Sequence, residues 1–130
     1  MRGTWTLNVR ASQPVTRSIN QAELRWLVQP AEQLVIDVTR TQTTLTFDGT
    51  TMSSPSNGTP VEWTAPTGSV YHLSTEWENR RLEQTLQGTS TRTASFRMSQ
   101  DGQTLTLHGR VTGPQLRRPL SYRLVYNRAS

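Results

Sequence analysis

Between Val70 and Asn127 apolar residues recur at every second position: Leu82 and Leu86; Ala94, Phe96 and Met98; Leu105, Leu107 and Val111; Leu120, Tyr122, Leu124 and Tyr126. Thr, Ser, Arg and Glu fill most of the positions between them. Side chains on a strand alternate between faces, so this period buries one face of a sheet and wets the other. The pattern divides into strands at Ser69–Trp77, Arg81–Gln87, Ser90–Met98, Thr104–Thr112 and Leu120–Asn127. Glu78-Asn79, Gln87-Gly88-Thr89, Asp101-Gly102 and the stretch Gly113–Pro119 separate them. Strands in such close series predict a β-meander that curls over its own apolar face.

The first half adds shorter strands. Gly3–Leu7 turns Trp5 and Leu7 to one side, and Gln33–Arg40 does the same with Leu34, Ile36 and Val38. Thr44–Phe47 leads into the hairpin signal Asp48-Gly49, with Thr51–Ser53 and Val61–Thr64 beyond it. Between the first two strands the period changes to near-helical, through Ile19, Ala22, Trp26 and Leu27, and Pro30 stops it. Ser18-Ile19-Asn20-Gln21 and Asn20-Gln21-Ala22-Glu23 both fit a capping box. The spacing predicts a helix over Ser18–Gln29 covering an apolar opening, since Trp26 and Leu27 are costly to leave in water. The sum is an all-β, up-and-down antiparallel barrel of 8–10 strands with one helix between strands 1 and 2. Closing the sheet removes exposed edges. Residues 1–130 read as a single domain with no internal repeat.

Composition narrows the chemistry. There is no Cys, so thiolate metal sites and Cys nucleophiles are excluded. No apolar run approaches the roughly 18 residues of a membrane-spanning helix. The net charge is +5, and all 14 basic residues are Arg. They are scattered, with only Arg80-Arg81 and Arg117-Arg118 adjacent, whereas a nucleic-acid surface calls for a clustered stripe with interleaved aromatics. No nucleic-acid partner is expected, and the Arg usage reads as compositional.

No Gly-x-Ser-x-Gly elbow and no Gly-rich phosphate loop occurs. Of the two His, His108 falls on the wet face with Thr106 and Arg110. His72 shares a face with Ser74 and Glu76, while Tyr71, Leu73 and Trp77 form the apolar face. A metal or acid–base site there lacks a third partner. No catalytic residue, metal ligand or cofactor is therefore assigned, and the chain reads as a non-enzyme. The aromatics are more suggestive. Trp63, Tyr71, Trp77, Phe96, Tyr122 and Tyr126, with Trp26 on the helix, either line a cup for a flat or lipidic ligand or form the core of a thin barrel.

Gly3-Thr4-Trp5 resembles the Gly-x-Trp signature of lipocalins, and the helix after the first strand resembles the placement of the helical lid in fatty-acid-binding proteins. Over nearly its full length the chain resembles small exported bacterial lipocalin-like barrel proteins of no assigned activity. The matching stretches are Gln29–Ile36, Ser99–Leu105, Gly113–Leu120 and Arg123–Arg128. This resemblance implies a periplasmic or secreted protein whose export signal is missing here, with Met1 an added start. It implies that Arg123 or Arg128 covers Trp5 through a cation–π contact. It brings no catalytic residues.

Three functions follow as expectations. The first is non-enzymatic binding of a small hydrophobic ligand inside a monomeric barrel. The second is a solid-cored interaction or structural module whose Arg-rich surface contacts acidic partners or the cell envelope. The third is a cryptic enzyme centred on His72 and Glu76.

Overall fold

The computed structural model describes residues 2–129; Met1, read above as an added start, lies outside the described residues. Ten strands make one sheet: β1 (Gly3–Leu7), β2 (Gln33–Val38), β3 (Gln42–Phe47), β4 (Thr50–Pro55), β5 (Val61–Thr64), β6 (Val70–Glu78), β7 (Arg81–Gln87), β8 (Thr91–Met98), β9 (Thr104–Thr112) and β10 (Leu120–Arg128). The one helix among the described residues, α1 (Ala22–Val28), lies between β1 and β2. The strand order is β4-β3-β2-β1-β10-β9-β8-β7-β6-β5, and the ladders are antiparallel. The all-β up-and-down barrel anticipated from the alternation is thus the observed architecture.

The barrel is nearly closed. β4 and β5 are the two ends of the sheet order and form no ladder with each other. Side chains close the seam: the Ser54 and Thr75 hydroxyls hydrogen-bond at 2.5 Å, and the Trp63 indole donates to the Thr51 carbonyl at 3.1 Å. At the two-residue turn joining β3 and β4, Asp48 (φ 47°) and Gly49 (φ 89°) both take left-handed backbone, as a primed hairpin requires.

The interior follows the alternation. Leu34, Leu45, Leu73, Leu82, Leu86, Phe96, Leu105 and Tyr126 are fully buried. At one end of the barrel Trp5 is closed off by Arg128, whose guanidinium carbon sits 4.5 Å from the indole centroid. Of the two arginines expected there, Arg128 takes that place; Arg123 instead donates to the Ala11 carbonyl at 3.4 Å.

The helix is shorter than its sequence pattern suggests and starts four residues later. Its N-cap position is Gln21, which makes no side-chain capping bond, so neither capping box forms. The Arg25 guanidinium takes the carbonyls of Ile19 and Asn20 (3.1 and 3.0 Å), which a longer helix would offer to backbone N–H groups. Glu23 is drawn away to the barrel. The buried face is Leu24, Leu27 and Val28, while Ala22 is exposed.

Candidate functional site

α1 covers the end of the barrel opposite Trp5. Three ties hold it there. The Glu23 carboxylate accepts hydrogen bonds from the Ser69 hydroxyl (2.8 Å) and from the Tyr71 hydroxyl. Trp26 stacks on Trp63 with ring centroids 5.9 Å apart and lies tilted 6.3 Å from Tyr71. Two β10 tyrosines reach the far end: Tyr122 donates to the Leu27 carbonyl (3.4 Å) and Tyr126 to the Ala31 carbonyl (2.8 Å).

Beneath the helix lies a half-open pocket of about 240 Å³, lined by Trp26, Gln29, Pro30, Ala31, Phe47, Asp48, Thr50, Met52, Pro66 and Arg92. Gln29, Ala31, Phe47 and Arg92 line both it and a smaller inner cavity of about 20 Å³ that also touches Leu107, Tyr122, Leu124 and Tyr126. The inner space holds about one water molecule. A larger depression beside α1, lined by Val15, Ile19, Arg25 and Val28 among others, is more open to solvent, and its arginines are exposed.

Arg92 is the unusual member of this constellation. It faces inward on β8 and is only 7% exposed. One terminal nitrogen donates to the Gln84 side-chain oxygen at 2.9 Å and lies 3.9 Å from the Met52 sulfur, and the guanidinium stands 5.5 Å over the Phe47 ring. Its Nε is buried with no hydrogen-bond partner among the described residues. No carboxylate pairs with it among the described residues. Asp48 also lines the pocket, but its oxygens accept from the backbone N–H groups of Glu32 and Gln33, both at 2.9 Å. A buried charge served by an amide, the Tyr122 hydroxyl, a sulfur and an aromatic face, with no carboxylate, is only partly compensated.

The electrostatics of the neighbours follow. Burial pushes the Tyr122 hydroxyl above its ordinary pKa, a rise that the Arg92 charge and a hydrogen bond to Arg92 partly offset. Burial, then the nearby Tyr122 and Asp48, raises Tyr126 as well. Tyr71 is raised by burial and by its bond to Glu23. Burial alone would raise the Glu23 carboxyl, but bonds from Thr67, Tyr71 and Ser69 outweigh it and hold the group below its ordinary value. At neutral pH these tyrosines are hydrogen-bond donors, and Glu23 is an acceptor.

The aromatics singled out from sequence are distributed over the molecule. Trp26 lines the mouth pocket, with Trp63 stacked behind it; Tyr122 and Tyr126 line the inner cavity. Tyr71 and Phe96 are buried in the core. Trp77 sits at the other end, donating to the Thr43 hydroxyl at 3.3 Å beside a separate depression with Arg80 and Met98. His72 and Glu76 are exposed on the outer face, opposite Gln87 and Glu83 in the ladder, and His108 is also exposed. Arg92, Gln84 and Met52 were not singled out. Period 2 carries a signal for two of them, because Arg92 shares parity with Ala94 and Phe96, and Gln84 with Leu82 and Leu86.

No family model matches the chain, and no curated protein matches it. Solved structures do. A "REP1-NXSQ fatty acid transporter" superposes with a TM-score of 0.67 at 12% identity, covering 99% of this chain and 96% of that one. Apo lipid binding protein 8 of Caenorhabditis elegans gives 0.64 at 10%, covering 98% and 94%. Fatty-acid-binding protein 1 of Echinococcus granulosus gives 0.62 at 11%, covering 99% and 97%. At these identities the likeness is one of fold.

Proposed function

We propose that this chain, a barrel of the fatty-acid-binding type, binds a small hydrophobic ligand carrying one anionic group. The apolar body lies in the mouth pocket under α1, and the anion meets Arg92. The observation that carries this reading is the buried Arg92 Nε, a charged donor without an acceptor among the described residues, at the junction of the two cavities. An arriving carboxylate supplies the missing acceptor and the missing countercharge in one step. Trp26, Phe47, Met52 and Pro30 offer the apolar walls. The reading is in keeping with structural neighbours that are fatty-acid and lipid binders. It needs no covalent chemistry. The periplasmic or secreted setting implied by the sequence resemblance is where we place it.

The solid-cored interaction module draws support from the tight packing further inside the barrel. It leaves the mouth pocket and its buried charge without a role, so ligand binding is the better reading.

Isothermal titration calorimetry with octanoate and with octan-1-ol separates head-group recognition from plain apolar uptake. Octanoate is expected to bind at least about ten-fold more tightly, as a charge-assisted hydrogen bond warrants. Arg92→Met should erase that difference. Equal binding of acid and alcohol, or an acid preference that survives Arg92→Met, would refute the assignment.

A further inference from the structure

The mouth pocket has a floor. Met52 on β4 and Arg92 on β8 line the pocket, and Gln84 on β7, in contact with both, backs them across the lumen. The Gln84 amide nitrogen lies 3.6 Å from the Met52 sulfur, the Arg92 guanidinium 3.9 Å from it, and Arg92 bonds Gln84 at 2.9 Å. Met52 and Gln84 are 2% and 1% exposed. Beyond this plate the barrel is filled apart from the inner cavity of about 20 Å³. The next inward residues along the same strands are Ser54, Leu82 and Ala94, followed on β8 by Phe96, and all are essentially inaccessible. Ser54 is bonded to Thr75, and Phe96 packs with its ring centroid 6.4 Å from that of Phe47.

The space above the floor is small. About 240 Å³ lies below the roughly 300–1,000 Å³ usual for pockets that enclose drug-sized ligands. An acyl chain entering head first meets Arg92 at once and has only the mouth beyond it. Entering tail first, it is stopped by Met52. Close-packed interiors do not yield the volume of a long chain without moving several side chains together.

We propose that the Met52–Gln84–Arg92 floor sets the size of the ligand, so that the site takes compact carboxylic acids with a short or aromatic body and excludes long acyl chains. This rests on the anion reading of the same pocket and names its substrate class. Met52 is the specificity-determining residue: it is the apolar member of the plate, it lines the pocket, and the next inward residue on its strand is Ser54, bonded to Thr75.

The test is a calorimetric series on the full chain with phenylacetate, octanoate and palmitate, the last kept below its solubility limit. Phenylacetate and octanoate should bind, and palmitate should be weaker by about ten-fold or more, the scale on which a closed apolar wall rejects added methylenes. Met52→Ala should move the palmitate-to-octanoate ratio toward palmitate by a similar factor. The wild-type series decides the matter even where the variant fails to fold. Palmitate binding as tightly as octanoate in the wild type overturns the size limit and leaves the anion reading standing. If none of the three acids binds, both fall. A ratio unchanged in a folded Met52→Ala variant removes Met52 as the determinant.

Discussion

Two arginines reach the barrel interior from opposite ends, and their surroundings could hardly differ more. Arg128, at the closed end, stacks on Trp5 and donates to the carbonyls of Gly102 (2.7 Å) and Arg2 (3.0 Å). Its planar fork meets acceptors already in place, and together with Trp5 it closes that end of the barrel. Arg92, at the open end, is held by an amide oxygen, approached by a thioether and faced by a phenyl ring, and its Nε has no hydrogen-bond partner among the described residues. One guanidinium has been assigned to structure and is satisfied by structure. The other is buried with neutral partners and no carboxylate among the described residues, so the fold offsets the cost only in part. Each end keeps one buried donor with no partner among the described residues, but at the closed end it is the neutral Trp5 indole N–H under Arg128, whereas at the mouth it is a charged Arg92 Nε beside an open pocket.

The comparison can be broken from the closed end first. Trp5→Ala should destabilise the protein by about 3–5 kcal/mol, because a fully buried indole leaves a cavity behind. Urea unfolding measures it, and a loss under about 1 kcal/mol would mean that the closed end does not anchor the barrel. At the mouth, Gly109→Ala should cost about 1–3 kcal/mol by overpacking, since a methyl there would lie 2.0 Å from the Tyr122 ring. It should also loosen the Tyr122 bond to the Leu27 carbonyl, read as faster hydrogen exchange in α1; unchanged exchange would free the helix from that tie.

Arg128→Ala should lower stability by about 2 kcal/mol, through the lost cation–π contact and charged hydrogen bonds. Arg92→Met should leave stability within about 1 kcal/mol of wild type or raise it, because an apolar side chain removes a buried charge that the fold compensates only in part. Equal losses in the two variants would dissolve the distinction between a structural and a functional arginine. The smallest effect concerns the helix tie. Glu23 has a folded-state pKa below its ordinary value of 4.5, so its stabilising contribution is present above that value and is lost as pH falls through the lowered folded value. The stability gap between wild type and Glu23→Gln should stay under about 1 kcal/mol for so accessible a group and shrink toward zero under acid. A gap that widens under acid would reverse the sign.

The two ends of the molecule were unequally legible in the sequence. Trp5 with a C-terminal arginine over it was anticipated, and the choice between Arg123 and Arg128 was settled by register: Trp5 pairs with Arg128 in the β1–β10 ladder. The helix was visible, but its first turn was not, because the Arg25 guanidinium takes the Ile19 and Asn20 carbonyls and Glu23 takes partners on β6 and the turn before it, Tyr71 and Ser69. The mouth pocket was the least legible part. Arg92 stands in phase with Ala94 and Phe96, and Gln84 with Leu82 and Leu86, but alternation alone does not tell that these polar side chains meet inside the barrel.

What the residue order determined by itself is the sheet. A period of two over nearly sixty residues, punctuated by turn residues, leaves few arrangements other than serial antiparallel strands, because each strand must bury the same alternate positions. What only the tertiary structure decided is where the lumen is filled and where it is open. That depends on strands far apart in sequence delivering Met52, Gln84 and Arg92 to one level inside the barrel, and on α1 stopping short enough to leave a mouth. Those are distances across a closed sheet, and a local pattern along the chain does not encode them.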